Sequence, residues 1–290
     1  MEHIISNGIL QVAVNDLGAE LMSVKAHGIE YLWQRDKKYW KDSSVTIFPY
    51  VARLTDGKYK YDGKIYELPI HGFAPESVFE LASYTESSMV FRLVSDDGTR
   101  ECYPFEFEFL LTYRLEKNTL KIIYTVKNLD SKRMFFGTGA HPGFNVPLEC
   151  GQSFSDWKLV FEPECQAVRI GFSEDCFISG EDEPFELDGG TTLSLSHSLF
   201  DDDAIVLKNM SEKVKLCSDK SAHSVEAEYP NMPYLGIWHM PKTDAGYVCI
   251  EPWTSLPSRK GIIEDISEQK NLIKLDAGEI FEAAITYSFL

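Results

Sequence analysis

Three stretches of the sequence place side chains that can move protons or donate hydrogen bonds beside glycine, proline and aromatic residues. Arg53 and His71 lie in FPYVARLTDGKYKYDGKIYELPIHGFA, His141 lies in GTGAHPGFNVP, and Glu251 lies in LGIWHMPKTDAGYVCIEPWTSLPSRKG. Such positions at strand ends commonly carry binding and catalytic groups, because a rigid scaffold holds them in place. Each residue also has an ordinary structural interpretation: a carboxylate in a salt bridge, hydrogen-bonded histidines in turns, and an arginine at the surface.

The elements that must position these residues are predicted to be β-strands. In FEFEFLLTYRLE, apolar and polar side chains alternate from Phe105 to Glu116, and the alternation resumes after a turn at 117–119. Because successive side chains of a strand point to opposite faces, this pattern predicts a half-buried hairpin. A second hairpin is predicted in KYKYDGKIYELP, where Asp62 and Gly63 supply the positive φ angles of a tight turn. Further strands are predicted over 10–14, 89–94, 204–207, 214–217, 225–229, 247–250 and 279–287.

Many short strands separated by turns predict an all-β fold, a sandwich or barrel of antiparallel sheets. No long segment shows a clean helical period, and no internal repeat or low-complexity linker is present. The stretch 173–190 carries seven acidic residues with glycine and proline. It is interpreted as an acidic surface loop, with a domain boundary as the alternative. We therefore expect residues 1–290 to form one domain.

The charge balance limits the classes of partner. The chain has 290 residues with 28 Lys and Arg against 45 Asp and Glu, a net charge of −17. Nucleic acids and anionic lipids are bound by clustered basic residues, so neither is an expected partner. The sequence shows no signal-peptide pattern and no run approaching the roughly 18 apolar residues of a membrane span. A cytoplasmic location is expected.

The six cysteines are scattered and form no CxxC pair. Without a secretory signal, free thiols are the expected state. Zinc-like spacing is absent, so no cysteine metal site is predicted. The cysteines are Cys102, Cys150, Cys165, Cys176, Cys217 and Cys249.

Several motifs, taken together and in order, are similar to those of the aldose 1-epimerase, or galactose mutarotase-like, family. They are GIEYLWQRDKKYW, FPYVARL, IHGFA, YPFEFEFLLTYRLE, GAHPGFN, DDDAIVLKN and CIEPW. Each is weak alone, but their order and spacing over nearly the whole chain resemble the LacX-like branch of that family. The resemblance implies a large antiparallel β-supersandwich, which agrees with the two-residue period.

The resemblance also implies an activity, the interconversion of the α and β anomers of an aldose. A base removes the proton of the anomeric hydroxyl while an acid protonates the ring oxygen, and the opened ring closes on the other face. The motifs match Glu251 to the general base and His141 to the general acid, with no cofactor and no metal. Trp253 and Ile250 are expected to raise the pKa of Glu251, since apolar neighbours disfavour a charged carboxylate.

Substrate-binding roles are implied for Arg53, His71 and Asp203. A guanidinium can donate to two sugar hydroxyls at once, which suits Arg53. His71 matches the second histidine of the family site, with a possible supporting part in protonation. In the run Asp201 to Asp203 the register leaves Asp202 open, but Asp203 directly precedes AIVL and is the better match.

Aromatic side chains are candidates for packing on the C–H face of a sugar ring. Trp253 and Trp238 are the first two, and Phe48 and Tyr50 are the others. All four have the alternative of lying in the core of a sandwich. His239, next to Trp238, is a further candidate for reaching the site.

Two departures from the family pattern argue against galactose as the specific sugar. The segment VARLTDG lacks the Asn that larger family members carry two residues beyond the arginine, and Pro142-Gly143-Phe144 replaces the usual continuation after the histidine. Two other functions stay open. One is a non-catalytic carbohydrate-binding sandwich, and the other is a glycoside hydrolase, which would need a second catalytic carboxylate such as Asp203.

The expected partner is a small aldose, neutral or phosphorylated. A phosphorylated sugar would need several cations at one edge of the site. The sequence offers Arg53 and the pair Arg259-Lys260. A monomer or weak homodimer is expected.

Overall fold

The computed structural model describes residues 1–290, and its regular structure is almost entirely β-strand. The first strands are β1 (Glu2–Ser6), β2 (Leu10–Asn15), β3 (Leu21–Ala26), β4 (Ile29–Glu30), β5 (Lys58–Tyr61), β6 (Lys64–Glu67), β7 (Glu80–Tyr84), β8 (Ser88–Val94), β9 (Phe107–Glu116), β10 (Thr119–Asn128), β11 (Met134–Phe136) and β12 (Gly143–Asn145). The others are β13 (Trp157–Phe161), β14 (Val168–Arg169), β15 (Glu183–Pro184), β16 (Thr192–Ser194), β17 (Ile205–Lys208), β18 (Lys213–Ser218), β19 (Val225–Glu228), β20 (Tyr234–Trp238), β21 (Tyr247–Trp253), β22 (Ile273–Leu275) and β23 (Ile280–Phe289).

Helical structure is confined to short turns. The single α-helix, α1, spans Asp97–Cys102, and Asp96 caps it by accepting from the Thr99 amide. The four 3₁₀ turns span Thr55–Gly57, Ala74–Glu76, Phe154–Asp156 and His197–Phe200. None of these helices has the length and apolar character needed to cross a membrane.

The strands form five antiparallel sheets. The largest has the order β16-β13-β18-β19-β23-β10-β9-β8-β7, and a six-stranded sheet has the order β12-β21-β20-β17-β14-β15. Strands β1 to β4 form a third sheet in sequence order, and β5–β6 and β11–β22 are two-stranded. The predicted all-β antiparallel sandwich is therefore confirmed.

Both predicted hairpins are present. β9 and β10 pair through the register Leu115↔Leu120, so the alternation of the two strands continues across one sheet. In the β5–β6 turn, Asp62 and Gly63 have φ angles of 50° and 72°, as the tight turn requires. The other predicted strands are also present, with ends shifted by a few residues.

One hydrophobic core of 62 buried residues draws on all three larger sheets. Phe109 and Leu111 enter it from the nine-stranded sheet, Val12 from the four-stranded sheet, and Val248 and Ile250 from the six-stranded sheet. Burial of this extent supplies the main driving force for folding, because removing apolar surface from water is favourable. It is consistent with one domain over 1–290, which stays a prediction.

Candidate active site

A cavity of about 520 Å³ opens on the face of the six-stranded sheet that lies opposite the core. Its polar lining is Arg53, His71, His141, Cys176, Asp203 and Glu251. Its aromatic lining is Trp40, Phe172, Trp238 and Trp253. All six residues assigned to the site from the sequence therefore lie in one cavity, although they are spread over some two hundred positions of the chain.

Strand β21 supplies the carboxylate. All seven residues of β21 are buried. Val248 and Ile250 face the core, Glu251 and Trp253 face the cavity, and Tyr247 and Cys249 belong to a small separate cluster of buried residues. Glu251 is 2% exposed. Its neighbour across the pair with β20 is Gly236, where an added Cβ would lie 3.2 Å from the Glu251 Cβ. A glycine at this position leaves room for the carboxylate.

His141 faces Glu251 from the segment that leads into β12. Gly143 pairs with Cys249, so the antiparallel register brings His141 opposite Glu251. The Ile250 amide donates to the Pro142 carbonyl at 3.3 Å and fixes this register. His141 Nε2 lies 3.2 Å from Glu251 Oε2, and both side chains are almost fully buried.

Burial dominates the protonation of this pair. It raises the pKa of Glu251 well above its usual range, and the nearby Asp203 carboxylate adds to that rise. It also lowers the pKa of His141 well below 6.5, with His71 acting in the same direction. Both shifts favour the uncharged form of each group, since desolvation penalises charge. In the free protein the carboxyl group of Glu251 is therefore protonated and the imidazole of His141 is neutral, so the pair shares one exchangeable acid proton.

The expected causes of the Glu251 shift are partly wrong. Ile250 projects from the opposite face of β21 into the core, because adjacent residues of a strand point to opposite sides. Trp253 does lie on the Glu251 face, but its indole N–H acts to lower the pKa of the carboxyl group. Burial itself produces the rise.

His71 and Arg53 are held by backbone contacts between two loop segments. The His71 amide donates to the Ala52 carbonyl at 2.9 Å, and the Ala52 amide donates to His71 Nδ1 at 3.3 Å. The neutral ring therefore carries its proton on Nε2. Burial and the nearby Arg53 guanidinium lower the pKa of His71 to about 4, so the ring is an uncharged donor near neutrality.

Asp203 enters the cavity from the turn before β17. Its φ of 75° is in the left-handed region, and its Oδ1 accepts from the Ala204 amide at 2.9 Å. The Cys176 thiol donates to Asp203 Oδ2 at 3.1 Å. Burial and this carboxylate raise the pKa of Cys176 to about 12, so the thiol keeps its proton. Asp202 lies in an adjoining groove and does not line the cavity.

The predicted aromatic candidates divide into two groups. Trp238 and Trp253 line the cavity. Phe48 and Tyr50 lie in the core instead, where the Tyr50 hydroxyl donates to Gln269 at 2.9 Å. His239 also points away from the cavity: it is fully buried, and its Nε2 lies 3.1 Å from His197 Nδ1.

Three of the polar and aromatic lining residues carry no role in the sequence-based assignment. Trp40 lies within the motif GIEYLWQRDKKYW, which is the only sequence signal for it. Phe172 and Cys176 belong to the region of the acidic loop. The seven acidic residues of 173–190 are exposed, as predicted, but the start of that loop forms part of the cavity wall.

One group of side chains could ligate a metal ion. His141, Cys249 and Glu251 place their donor atoms within 4.8 Å of one another, and all three are buried. An imidazole, a thiolate and a carboxylate are ligands that suit zinc. The same atoms form the histidine–carboxylate pair described above, so a metal bound there would occupy the proton-transfer groups.

The sequence profile described as aldose 1-epimerase matches residues 2–288. The chain belongs to the aldose 1-epimerase family. Within curated relatives, the plasmid-encoded Protein LacX of Lactococcus lactis subsp. lactis is 30% identical over 292 aligned positions, which cover 95% of this chain and 96% of that protein. The resemblance to the family and to its LacX-like branch is thus confirmed.

Solved structures described as galactose mutarotase related or mutarotase-like share the whole architecture. A galactose mutarotase related enzyme from Lactobacillus acidophilus superposes with a TM-score of 0.95 at 34% identity, over 100% of this chain and 97% of that one. A galactose mutarotase-like protein from Lactobacillus casei gives a TM-score of 0.94 at 30% identity, over 100% of both chains. These matches confirm the galactose mutarotase-like fold.

Proposed function

We propose that this aldose 1-epimerase family member catalyses the interconversion of the α and β anomers of an aldose. The observation that carries the proposal is the buried contact of 3.2 Å between His141 Nε2 and Glu251 Oε2 at the wall of a sugar-sized cavity. A carboxylate and an imidazole this close can act on two atoms bonded to the same carbon. The anomeric hydroxyl and the ring oxygen of a pyranose are such atoms.

The chemistry needs one proton on the pair throughout. In the reactive form Glu251 is a carboxylate and His141 an imidazolium. Glu251 accepts the proton of the anomeric hydroxyl while His141 gives its proton to the ring oxygen, and the C1–O5 bond breaks. Closure on the other face of C1 runs these two transfers in reverse, so proton count is conserved.

The burial of the pair favours one stage of this sequence. After ring opening Glu251 is protonated and His141 is neutral, which is the uncharged arrangement that desolvation stabilises. The open-chain aldehyde is thus accompanied by the preferred protonation state of the site. The free energy of the open-chain intermediate is therefore lower than it would be in a site where ring opening left two buried charges.

The remaining polar groups of the cavity suit sugar hydroxyls. Arg53 and the Nε2–H of His71 are donors, and Asp203 is an acceptor held by Cys176 and Ala204. The buried indole N–H of Trp253 makes no well-formed hydrogen bond within the protein, although it lies close enough to Glu251 to lower the pKa of that carboxyl group. It can therefore donate to a sugar oxygen held beside Glu251. We assign substrate binding to Arg53, His71, Asp203 and Trp253.

The test measures the rate at which a freshly dissolved pure anomer reaches anomeric equilibrium with and without the protein, by polarimetry or NMR. The wild-type protein is expected to speed equilibration, and Glu251→Gln and His141→Asn are each expected to slow it by about 10²–10⁴-fold. The matched controls are Glu116→Gln and His27→Asn, which change the same residue types at exposed positions. His27 has a φ of 52°, a region that Asn tolerates.

Full activity in both site variants would overturn the mechanism. Sugar binding by the wild-type protein without any exchange, measured by calorimetry across a panel of aldoses, would indicate a carbohydrate-binding protein instead. Release of reducing sugar from a chromogenic glycoside would indicate hydrolysis.

A further inference from the structure

The ring of His141 has an unusual set of contacts. Its Nε2 faces Glu251, whereas its buried Nδ1 has no hydrogen-bond partner on another residue, and the only backbone contact that affects its pKa is with His141 itself. A histidine that transfers protons is normally oriented by a hydrogen bond at its second nitrogen, as in the triad arrangement. Here another contact must fix the plane of the imidazole.

Aromatic rings provide that contact. The indole of Trp40 stacks on the His141 imidazole with a centroid distance of 5.0 Å and an interplanar angle of 29°. Trp238 and His71 meet the same imidazole edge-on, at 5.6 Å and 5.3 Å. Trp40 is the one neighbour that covers the face of the ring.

Trp40 is itself held in place. Its carbonyl accepts from Trp33 Nε1 at 2.9 Å, and its amide donates to the Asp36 carbonyl at 3.0 Å. Its indole also stacks on Tyr247 at 5.6 Å. The platform under His141 is therefore fixed by backbone contacts and by a second aromatic ring.

Gly143 makes this stacking possible. A Cβ at position 143 would lie 2.9 Å from Trp40 Cζ3 and 3.3 Å from the Trp33 Cβ, whereas Gly143 has no positive φ that would itself require glycine. The reason for glycine at this position is therefore the close approach of Trp40. The altered segment after His141, Pro142-Gly143-Phe144, and the tryptophan of GIEYLWQRDKKYW thus form one structural unit.

We propose that Trp40 is the positioning residue of the acid His141, and that Gly143 provides the space for it. The indole face fixes the imidazole plane against Glu251 and stabilises the imidazolium through its π electrons. This inference rests on the proposed function, since it assigns Trp40 a part in the proton transfer made by His141.

The kinetic test compares Trp40→Leu with Trp40→Phe. Loss of the aromatic face in Trp40→Leu is expected to lower kcat for anomer exchange by about 10–100-fold with a much smaller change in KM, because misplacement of a reacting group is costly. Trp40→Phe keeps an aromatic face and is expected to retain most of kcat. An unchanged kcat in Trp40→Leu overturns the inference. An increase in KM without a change in kcat also overturns it, because Trp40 would then contact the sugar rather than position His141.

A second variant reaches the same contact from the other side. Gly143→Ala should displace Trp40 and lower kcat in the same way as Trp40→Leu. Gly246→Ala is the matched control, because its added Cβ would meet only the Val146 carbonyl, at 3.5 Å. Equal kcat in the two glycine variants would contradict the role of Gly143.

An NMR measurement separates this inference from the proposed function. The imidazole C–H resonances of His141, assigned by their loss in His141→Asn, should be displaced upfield by the Trp40 ring in the wild-type protein. This displacement should be reduced in Trp40→Leu and in Gly143→Ala. If the His141 chemical shifts are the same in Trp40→Leu and in the wild type, the inference is wrong, even if the wild type is active. If the wild type is inactive but its His141 resonances are shifted upfield, and this shift is reduced in Trp40→Leu, only the proposed function is contradicted.

Discussion

At the residue scale, Glu251 and His141 titrate as one unit, because burial favours the neutral form of both side chains. Each lies in the same buried pocket, and each pKa is shifted toward the neutral form. The titration of two groups this close belongs to the pair rather than to either residue. In the proposed mechanism, anomer exchange in both directions needs the pair to hold one proton, neither two nor none.

This requirement predicts the pH dependence of kcat/KM for anomer exchange. The lowered pKa of His141 means that a second proton joins the pair only below pH 6.5. The raised pKa of Glu251 means that the last proton leaves only well above pH 4.5. We expect kcat/KM, after subtraction of spontaneous exchange, to be constant near neutrality and to fall on both sides, with the acid limb below pH 6.5, because kcat/KM reports the groups of the free protein. An acid limb above pH 6.5 would contradict the burial argument.

At the scale of elements, the loop that carries His71 depends on the glycine that follows it. Gly72 has a φ of 76°, and a Cβ there would lie 2.2 Å from the Phe48 carbonyl oxygen. The Phe48 carbonyl also accepts from the Ala74 amide, and the Phe48 amide donates to the His71 carbonyl. The two segments are thus clamped at backbone contact distance, and His71 follows their position.

Gly72→Ala should therefore lower the free energy of unfolding more than a matched glycine substitution does. Gly63 has a similar φ of 72° but open space around its Cα, so Gly63→Ala carries only the left-handed strain of about 1–2 kcal/mol. The clash with backbone atoms should add about 1–3 kcal/mol in Gly72→Ala.

Denaturant unfolding and the KM for anomer exchange measure these two effects. We expect Gly72→Ala to raise KM, because the loop that positions His71 must shift, and Gly63→Ala to leave KM unchanged. If the two variants lose equal free energy of unfolding, the close contact of residue 72 with the Phe48 carbonyl does not exclude a side chain at that position.

On the scale of the whole molecule, the negative charge reaches the entrance of the cavity. The cavity shares Asp203 and Cys176 with a groove of about 780 Å³. The lining of this groove is net acidic, because Asp203, Glu174 and four further acidic residues outnumber Arg169 and Lys242. Arg53 is the single Lys or Arg among the cavity-lining residues. Of the other two cations that the sequence offered, Arg259 is bound to Glu264 through Nε at 2.7 Å and Nη2 at 2.9 Å, and Lys260 is exposed outside the cavity.

This distribution predicts that a neutral aldose is preferred to its phosphate ester. A phosphate dianion would meet one cation in the cavity and a groove whose net charge is negative, so we expect kcat/KM to fall by about tenfold or more at low salt. The difference should narrow at high ionic strength, because salt screens exposed charges. Assays of one aldose and its 6-phosphate at two salt concentrations measure it. Equal kcat/KM values at low salt would contradict the prediction.

Sequence alone was sufficient for the strands with a clear period and for the family. The alternation from Phe105 to Glu116 predicts β9 because one face of that strand is buried along its whole length. The alternation of apolar and polar residues was less informative for very short strands, such as β14 and β15, and for strands that are buried on both faces. β21 extends beyond 250 through Pro252 to Trp253, because these residues continue the pairing with β20 despite the proline.

The site shows the same division. The motifs identified Glu251, His141, Arg53, His71, Asp203 and Trp253, and all six line the cavity. The sequence alone determined the residue types, the family and the strand pattern, because these depend on local alternation and on the order of short motifs. Only the tertiary structure decided that Phe48 and Tyr50 lie in the core, and that Trp40 covers His141. These contacts join residues distant in the chain, and the packing of the sheets and loops determines them.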